Sequence, residues 1–293
     1  MEHVNRDRRV GLVLSGGGAR GYAHIGVLSV LEQTDIEPDV VAGTSMGAII
    51  GGLYAAGYSA LEIHDLASSI RSRDVIDLSL QGSLIKGEKL DNVLSDLLPD
   101  TFAQLQKPFA VTTTDVETGE KVIITEGNLI RAIRASSSFP GAFPPLEING
   151  RLLADGGIIN NLPVDAAAIL GANYTIASDT TPPRRSEYQG EEQGNWWERM
   201  VSTVRLERRS PLLQMLLRSA DIMQSILTDL QHTMHPADIL VKLEMPDIHV
   251  ESFRDYDEIV RIGEEIAIRT FTESGLLPQS AVARLQSVPE LDA

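Results

Sequence analysis

The stretch Asp39-Val40-Val41-Ala42-Gly43-Thr44-Ser45-Met46-Gly47-Ala48-Ile49-Ile50-Gly51-Gly52-Leu53-Tyr54 decides the fold. It opens as an apolar run with strand character and closes as a small-residue pattern with helix character, and Gly43-Thr44-Ser45-Met46-Gly47 joins the two. A serine on a tight strand-to-helix turn needs glycine two residues to either side, because neighbouring backbone passes too close for a Cβ. Ser45 therefore reads as a nucleophile on an elbow. The flanking strand and helix separate this match from the chance Gly-x-Ser-x-Gly of a chain with 24 glycines.

Outward from the elbow, Val10-Gly11-Leu12-Val13-Leu14 reads as a second buried strand. It ends in Ser15-Gly16-Gly17-Gly18-Ala19-Arg20-Gly21 and a helical stretch from Tyr22 to Glu32. Two strand-to-helix units this close to the N-terminus predict an α/β protein with a mainly parallel central sheet between helical layers. Helices are expected at Ala60 to Ser69, Leu90 to Leu97 and Asn128 to Ala135, and a hairpin at Phe109 to Thr114 and Lys121 to Thr125 around Glu117-Thr118-Gly119-Glu120. A short strand at Arg151 to Ala154 delivers Asp155-Gly156-Gly157, Pro163 starts another helix, and Tyr174 to Ser178 is a further buried strand.

The polar segment Thr180 to Gly194 reads as a loop, and Trp196 to Gln231 as helical with Leu212, Leu216, Met223, Leu227 and Leu230 on one stripe. That stripe is expected to be ordinary core, with a lipid groove or an interfacial surface as the alternatives. Asp238 to Leu243 returns as a strand, which makes the helical region an insertion, and Val250 to Thr272 is a closing helix. Residues 1–8 are then a tail, 9–278 one domain with loop and helical insertion at 180–236, and 279–293 a C-terminal segment.

Composition narrows the chemistry. The formal charge of −16 argues against nucleic acid as a partner and against adhesion to anionic membranes. The absence of cysteine excludes disulfides, zinc-thiolate sites and thiol nucleophiles. No signal peptide and no run of about 18 apolar residues is present, so a cytoplasmic chain is expected, with any membrane contact peripheral. No sequence feature fixes an oligomeric state.

Gly16, Gly18 and Gly21 match the dinucleotide pattern Gly-x-Gly-x-x-Gly, but the position where an acidic residue would hold the ribose is occupied by Gly43-Thr44-Ser45. No cofactor and no metal is expected. The loop instead reads as an oxyanion hole, with backbone donors from Gly16, Gly17 and Gly18, the latter two foremost, and a further N–H from Met46. A glycine turn needed only for helix-to-sheet packing is the alternative. Ser45 also needs a base. His24 and His64 lie on helical patterns, His3 in the tail, and His232, His235 and His249 after the serine, none in a Gly-flanked loop directly behind a strand. Asp155, directly behind a strand and followed by Gly156 and Gly157, is the better base, although a turn aspartate capping its own loop has the same pattern.

Taken together, Gly16-Gly17-Gly18-Ala19-Arg20-Gly21, Gly43-Thr44-Ser45-Met46-Gly47 and Asp155-Gly156-Gly157 resemble the three signatures of the patatin-like phospholipase family. The resemblance extends to Ser138-Phe139-Pro140 and Asn160-Asn161-Leu162-Pro163, and covers Val10 to Ser178 with the strand Asp238 to Leu243. It implies a patatin-like α/β/α fold, a Ser45–Asp155 dyad without histidine, and hydrolysis of acyl esters of phospholipids or related lipids. Arg20 is then a structural or headgroup-facing cation. Trp196, Trp197, Arg205, Arg208 and Arg209 are candidate interfacial residues. The alternatives are a soluble carboxylesterase for small acyl esters and a non-catalytic lipid-binding regulator.

Overall fold

Strands that are apolar without interruption must be covered on both faces, and that requirement builds this sheet from its centre. The computed structural model describes residues 8–34, 36–70, 87–140, 143–182, 211–245, 248 and 252–277. β1 (Val10–Leu14), β2 (Val40–Thr44) and β3 (Phe109–Asp115) are buried throughout. β4 (Lys121–Ile124), β5 (Leu146–Ile148), β6 (Arg151–Asp155), β7 (Tyr174–Asp179) and β8 (Ile239–Lys242) complete one sheet, ordered β5-β6-β3-β2-β1-β7-β8 with β4 paired to β3. The pairs β3-β2, β2-β1, β1-β7 and β7-β8 are parallel; β3-β4, β3-β6 and β6-β5 are antiparallel.

Side chains alternate across the sheet. Leu12, Leu14, Val41, Phe109 and Val111 pack into the larger core, with α1 (Ala23–Leu31), α2 (Met46–Ala56), α3 (Ala60–Ser69), α4 (Glu88–Leu97) and α5 (Leu129–Ser136). Val13, Val40, Ala42, Ala110 and Ala177 face the other way, onto α6 (Val164–Ile169). The remaining α-helices among the described residues are α7 (Pro211–Met234), between β7 and β8 in the chain, and α8 (Tyr256–Glu273). α8 crosses α1 so closely that a Cβ at Gly263 would collide with the Ala23 carbonyl, which fixes glycine there.

Register on β3 does most to place the site. β4 lies along Val111 to Thr114 on one edge, so β2 and β6 share the other. β2 runs parallel as far as the pair Thr44–Thr112, and β6 runs antiparallel to end at Asp155 opposite Thr113. The C-terminal ends of two strands distant in sequence thus meet head to head on consecutive rungs. On the other side of β2, Leu14 pairs with Gly43, which sets the loop after β1 beside the elbow.

Within the described residues the expected strands and helices form, with different ends. The stretch after the glycine loop is a 3-10 turn (Gly18–Tyr22) before α1, and α8 starts at Tyr256 rather than Val250. β5, only three residues long, had no alternation to announce it. The stripe on α7 is corrected: Met223 and Leu230 face solvent, Leu227 is half-buried, and the helix packs inward through Ser225 and Thr228. The side chains of Leu212 and Leu216 lie outside the described residues, as do Trp196, Trp197, Arg205, Arg208, Arg209, His3 and His249. No described helix is long and apolar enough to cross a membrane.

Phe109, 2% exposed, fills the space under Gly51 and Gly52 of α2, the helix that starts at the elbow. Phe109→Ala is expected to cost about 3–5 kcal/mol. Urea denaturation followed by circular dichroism measures it as a lowered midpoint.

Candidate active site

Ser45 adopts φ 53°, ψ −121°, a conformation a side chain rarely takes, and it is the residue from which α2 departs. Close packing enforces the turn. A Cβ on Gly47 would collide with the carbonyl oxygens of Leu14 and Ser15, so the first turn of α2 rides directly over the end of β1. The Ser45 amide donates to Ser136 Oγ at 2.8 Å, and Ser136 Oγ in turn donates to the Thr112 carbonyl at 2.7 Å. Ser136, at the end of α5, is therefore a relay that pins the elbow to β3. Nothing in the sequence pattern singled it out from its serine-rich neighbours.

Ser45 Oγ donates to Asp155 Oδ2 at 2.7 Å. The Gly157 amide donates to Asp155 Oδ1 at 2.8 Å, which turns Oδ2 toward the serine. Asp155 is thus both of the things its sequence context allowed, a turn aspartate and the partner of Ser45. Its main-chain amide donates to the Ser138 carbonyl at 3.1 Å, and Ser138 Oγ accepts from the buried Arg134 at 2.7 Å. The segment Ser138-Phe139-Pro140 so fixes the height of Asp155 above the sheet. Burial raises the Asp155 carboxyl from 3.8 to about 6, against the lowering effect of the hydrogen bonds from Ser45 and Gly157.

The glycine loop is tied down on its far side. Asn161 accepts the Gly16 amide on its carbonyl at 3.2 Å and donates Nδ2 to the Gly16 carbonyl at 3.1 Å, while Thr180 Oγ1 donates to that same carbonyl at 3.0 Å. The Gly16 N–H is thereby committed, so the oxyanion role expected of Gly16 does not fit; Gly17 and Gly18 remain from the loop. His24 is fully buried beneath it. Its Nε2 faces the Ser15 carbonyl at 2.8 Å and so must carry the proton, leaving Nδ1 to accept from Ser178 Oγ at 2.7 Å. Burial lowers this imidazole to about 4 and keeps it neutral. Neither His24, His64, His232 nor His235 hydrogen-bonds Ser45 or Asp155.

A cavity of about 70 Å³ joins these parts, lined by Gly17, Gly18, Ser45, Phe139, Asp155 and Asn161, and closed by Arg20, Asp221 and Gln224. Arg20, 5% exposed, meets Asp221 of α7 at 3.4 Å, and Gln224 Nε2 donates to the Gly157 carbonyl at 3.2 Å. Asp221 and Gln224 escaped the sequence reading, because they are two polar residues on a helix read for its apolar side. Among the described residues no group of three or more His, Asp or Glu comes together to hold a metal ion.

A serine on a strained strand-to-helix turn, bonded to a buried carboxylate at the C-terminal ends of sheet strands, has the geometry of a hydrolase nucleophile on an α/β scaffold. The chain belongs to the patatin-like phospholipase family, whose model matches residues 12–168. It is 39% identical over 206 residues to an uncharacterized NTE family protein of Mycobacterium tuberculosis, spanning 67% of this chain and 56% of that protein. It is 32% identical over 290 residues to lysophospholipase NTE1 of Yarrowia lipolytica, spanning 93% of this chain but 20% of that protein. The chain thus spans about half the length of the mycobacterial relative and a fifth of the yeast one. The crystal structure of VipD from Legionella pneumophila shares the fold, with a TM-score of 0.56 at 16% identity over 91% of this chain and 67% of that one.

The raised carboxyl has a consequence for stability. An acid whose folded pKa lies above its unfolded value stabilises the fold below about pH 3.8 and loses that contribution as pH rises to about 6. In the isosteric Asp155→Asn, Oδ1 still accepts from the Gly157 amide and Nδ2 donates to Ser45 Oγ in place of accepting from it, without the buried charge. The variant should melt several degrees higher than wild type at pH 7.5, with the difference shrinking at pH 4.5; calorimetry at the two pH values reads it.

Proposed function

We propose that the protein is a serine acyl hydrolase cleaving fatty-acyl esters of phospholipids or related lipids through an acyl-enzyme on Ser45, with Asp155 as the general base. The observation that carries this reading is the 2.7 Å hydrogen bond from Ser45 Oγ to Asp155 Oδ2. Family membership supports a lipid hydrolase, and the lysophospholipase activity named for the Yarrowia relative supports a glycerophospholipid acyl ester as substrate.

In the reaction, Asp155 takes the Ser45 proton as Oγ attacks the ester carbonyl, and the amides of Gly17 and Gly18, with Met46 from the elbow, receive the developing oxyanion. Asp155 then protonates the departing alcohol, accepts a proton from the water that attacks the acyl carbon, and returns that proton to Ser45 Oγ as the fatty acid leaves. An ordinary aspartate is a weaker base than histidine by about 3.5 kcal/mol of proton affinity. A carboxyl at about 6 has closed most of that gap, so the dyad needs no imidazole. Arg20, held by Asp221, acts as a structural cation beside the oxyanion loop. Contact with the membrane is peripheral.

A second reading has its own observation. The cavity beside Ser45 is small, about 70 Å³, which suits a short acyl group better than a long one. That reading is a soluble carboxylesterase for small acyl esters, beside the lipid hydrolase. Hydrolysis of short-chain esters compared with phosphatidylcholine and lysophosphatidylcholine separates the two.

Ser45→Ala and Asp155→Asn are each expected to lower kcat by about four orders of magnitude or more, while His24 aside, replacement of the histidines leaves it unchanged. Labelling by a fluorophosphonate should vanish in both variants. Retained turnover in Asp155→Asn would remove the dyad. The pH profile of kcat/KM should fall about tenfold per pH unit below about 6, as Asp155 takes up its proton.

A further inference from the structure

α7 is amphipathic in the inverse sense. Met215, Ile222, Met223, Ile226, Leu230 and Met234 are 70, 61, 58, 40, 54 and 61% exposed. At 3.6 residues per turn these six fall within an arc of about 120°. Asp221, Gln224, Ser225 and Thr228 lie on the opposite side, and this polar side is the one turned to the protein: Asp221 meets Arg20, Gln224 meets Gly157, and Ser225 and Thr228 are buried. An exposed apolar stripe of this length, free of charge, is unusual on a soluble monomer and marks a surface that meets something apolar.

The two polar residues within the stripe are also withdrawn from solvent chemistry. Ser219 Oγ donates to the Met215 carbonyl and Thr233 Oγ1 to the Asp229 carbonyl, each at 2.8 Å. With both hydroxyls satisfied inside the helix, the face can leave water with no donor stranded.

We infer that this face of α7 docks on a zwitterionic lipid surface and brings the cavity beside Ser45 to that surface. The inference rests on the lipid-hydrolase reading above. Three observations choose the occupant. The helix lines the Ser45 cavity with its inner side, so whatever covers its outer side is delivered to the cavity mouth. The formal charge of −16 repels anionic bilayers, and a charge-free stripe offers nothing to anionic headgroups, which leaves neutral or zwitterionic lipid. A second copy of the chain is poorly served, since a stripe roughly 29 Å long and about 10 Å wide presents on the order of 300 Å², against about 800 Å² per partner in a stable dimer. Docking on lipid needs no such area, because the partner is fluid and conforms to the helix.

The test uses the full chain in the Ser45→Ala background, which consumes no lipid. Ser45→Ala should co-sediment with phosphatidylcholine vesicles, and addition of anionic phosphatidylglycerol should weaken that binding. Met223→Ser/Ile226→Ser/Leu230→Ser in the same background should lower the vesicle partition about tenfold or more. The same three substitutions with Ser45 intact should leave turnover of a water-soluble short-chain ester within about twofold of wild type. Met215→Gln/Met234→Gln, at the ends of the stripe, is the second variant should the triple one misfold. Equal sedimentation of variant and parent, or no sedimentation of the parent, overturns the inference. So does a dimer in light scattering that the variants convert to monomer. Vesicle binding without ester turnover by the wild-type chain would instead overturn the catalytic reading and leave the docking face standing.

Discussion

The junction on β3 is the constraint from which the site follows. Thr112 and Thr113 are consecutive rungs on one edge, the first taken by the end of β2 and the second by the end of β6. Because β2 runs parallel and β6 antiparallel, both chains arrive with their C-terminal ends pointing at the gap between them. The serine leaves one end and the aspartate stands at the other. Even the backbone at the joint is shared, since the Thr112 carbonyl takes the Ser136 hydroxyl that holds the Ser45 amide.

Burial has opposite effects on the two polar groups that frame the glycine loop. His24 is held neutral, a fixed strut between Ser15 and Ser178. Asp155 is held near the pH at which a base is useful, and desolvation is the largest cause. A solvated carboxylate in the same place would keep the geometry and lose most of the proton affinity. The fold thus accepts a destabilising buried acid, which on the proposed mechanism takes the place of an imidazole and its orienting partner.

Much of this was legible in the residues. The apolar runs at the core of β1 and β2 marked central strands, and glycines around Ser45 and after Asp155 marked turns at strand ends. Those signals are local, as steric demands on a backbone are. Ser136, Asp221 and Gln224 were not legible, because each acts on a segment far away in the chain and looks like an ordinary polar residue in its own. The stripe on α7 shows the limit of periodicity: a period of 3.6 says that a helix has two faces, and gives no sign of which one the protein turns inward. Here Asp221 and Gln224 claimed the inner face, and the apolar side was left outside.

Ser45 and Asp155 stand 110 residues apart in the chain, and the pairing of β6 onto β3 brings them together. During synthesis the N-terminal units can form and pack while the segment that bears the aspartate is still unmade. On the proposed mechanism, a nascent or half-folded chain therefore displays Ser45 without its carboxylate partner and has no means to attack an ester. Loop closure over so long a separation is among the later events of folding, so competence arrives only when the sheet is nearly whole. The head-to-head joint is in this sense a safeguard, which ties the onset of reactivity to the completion of the molecule.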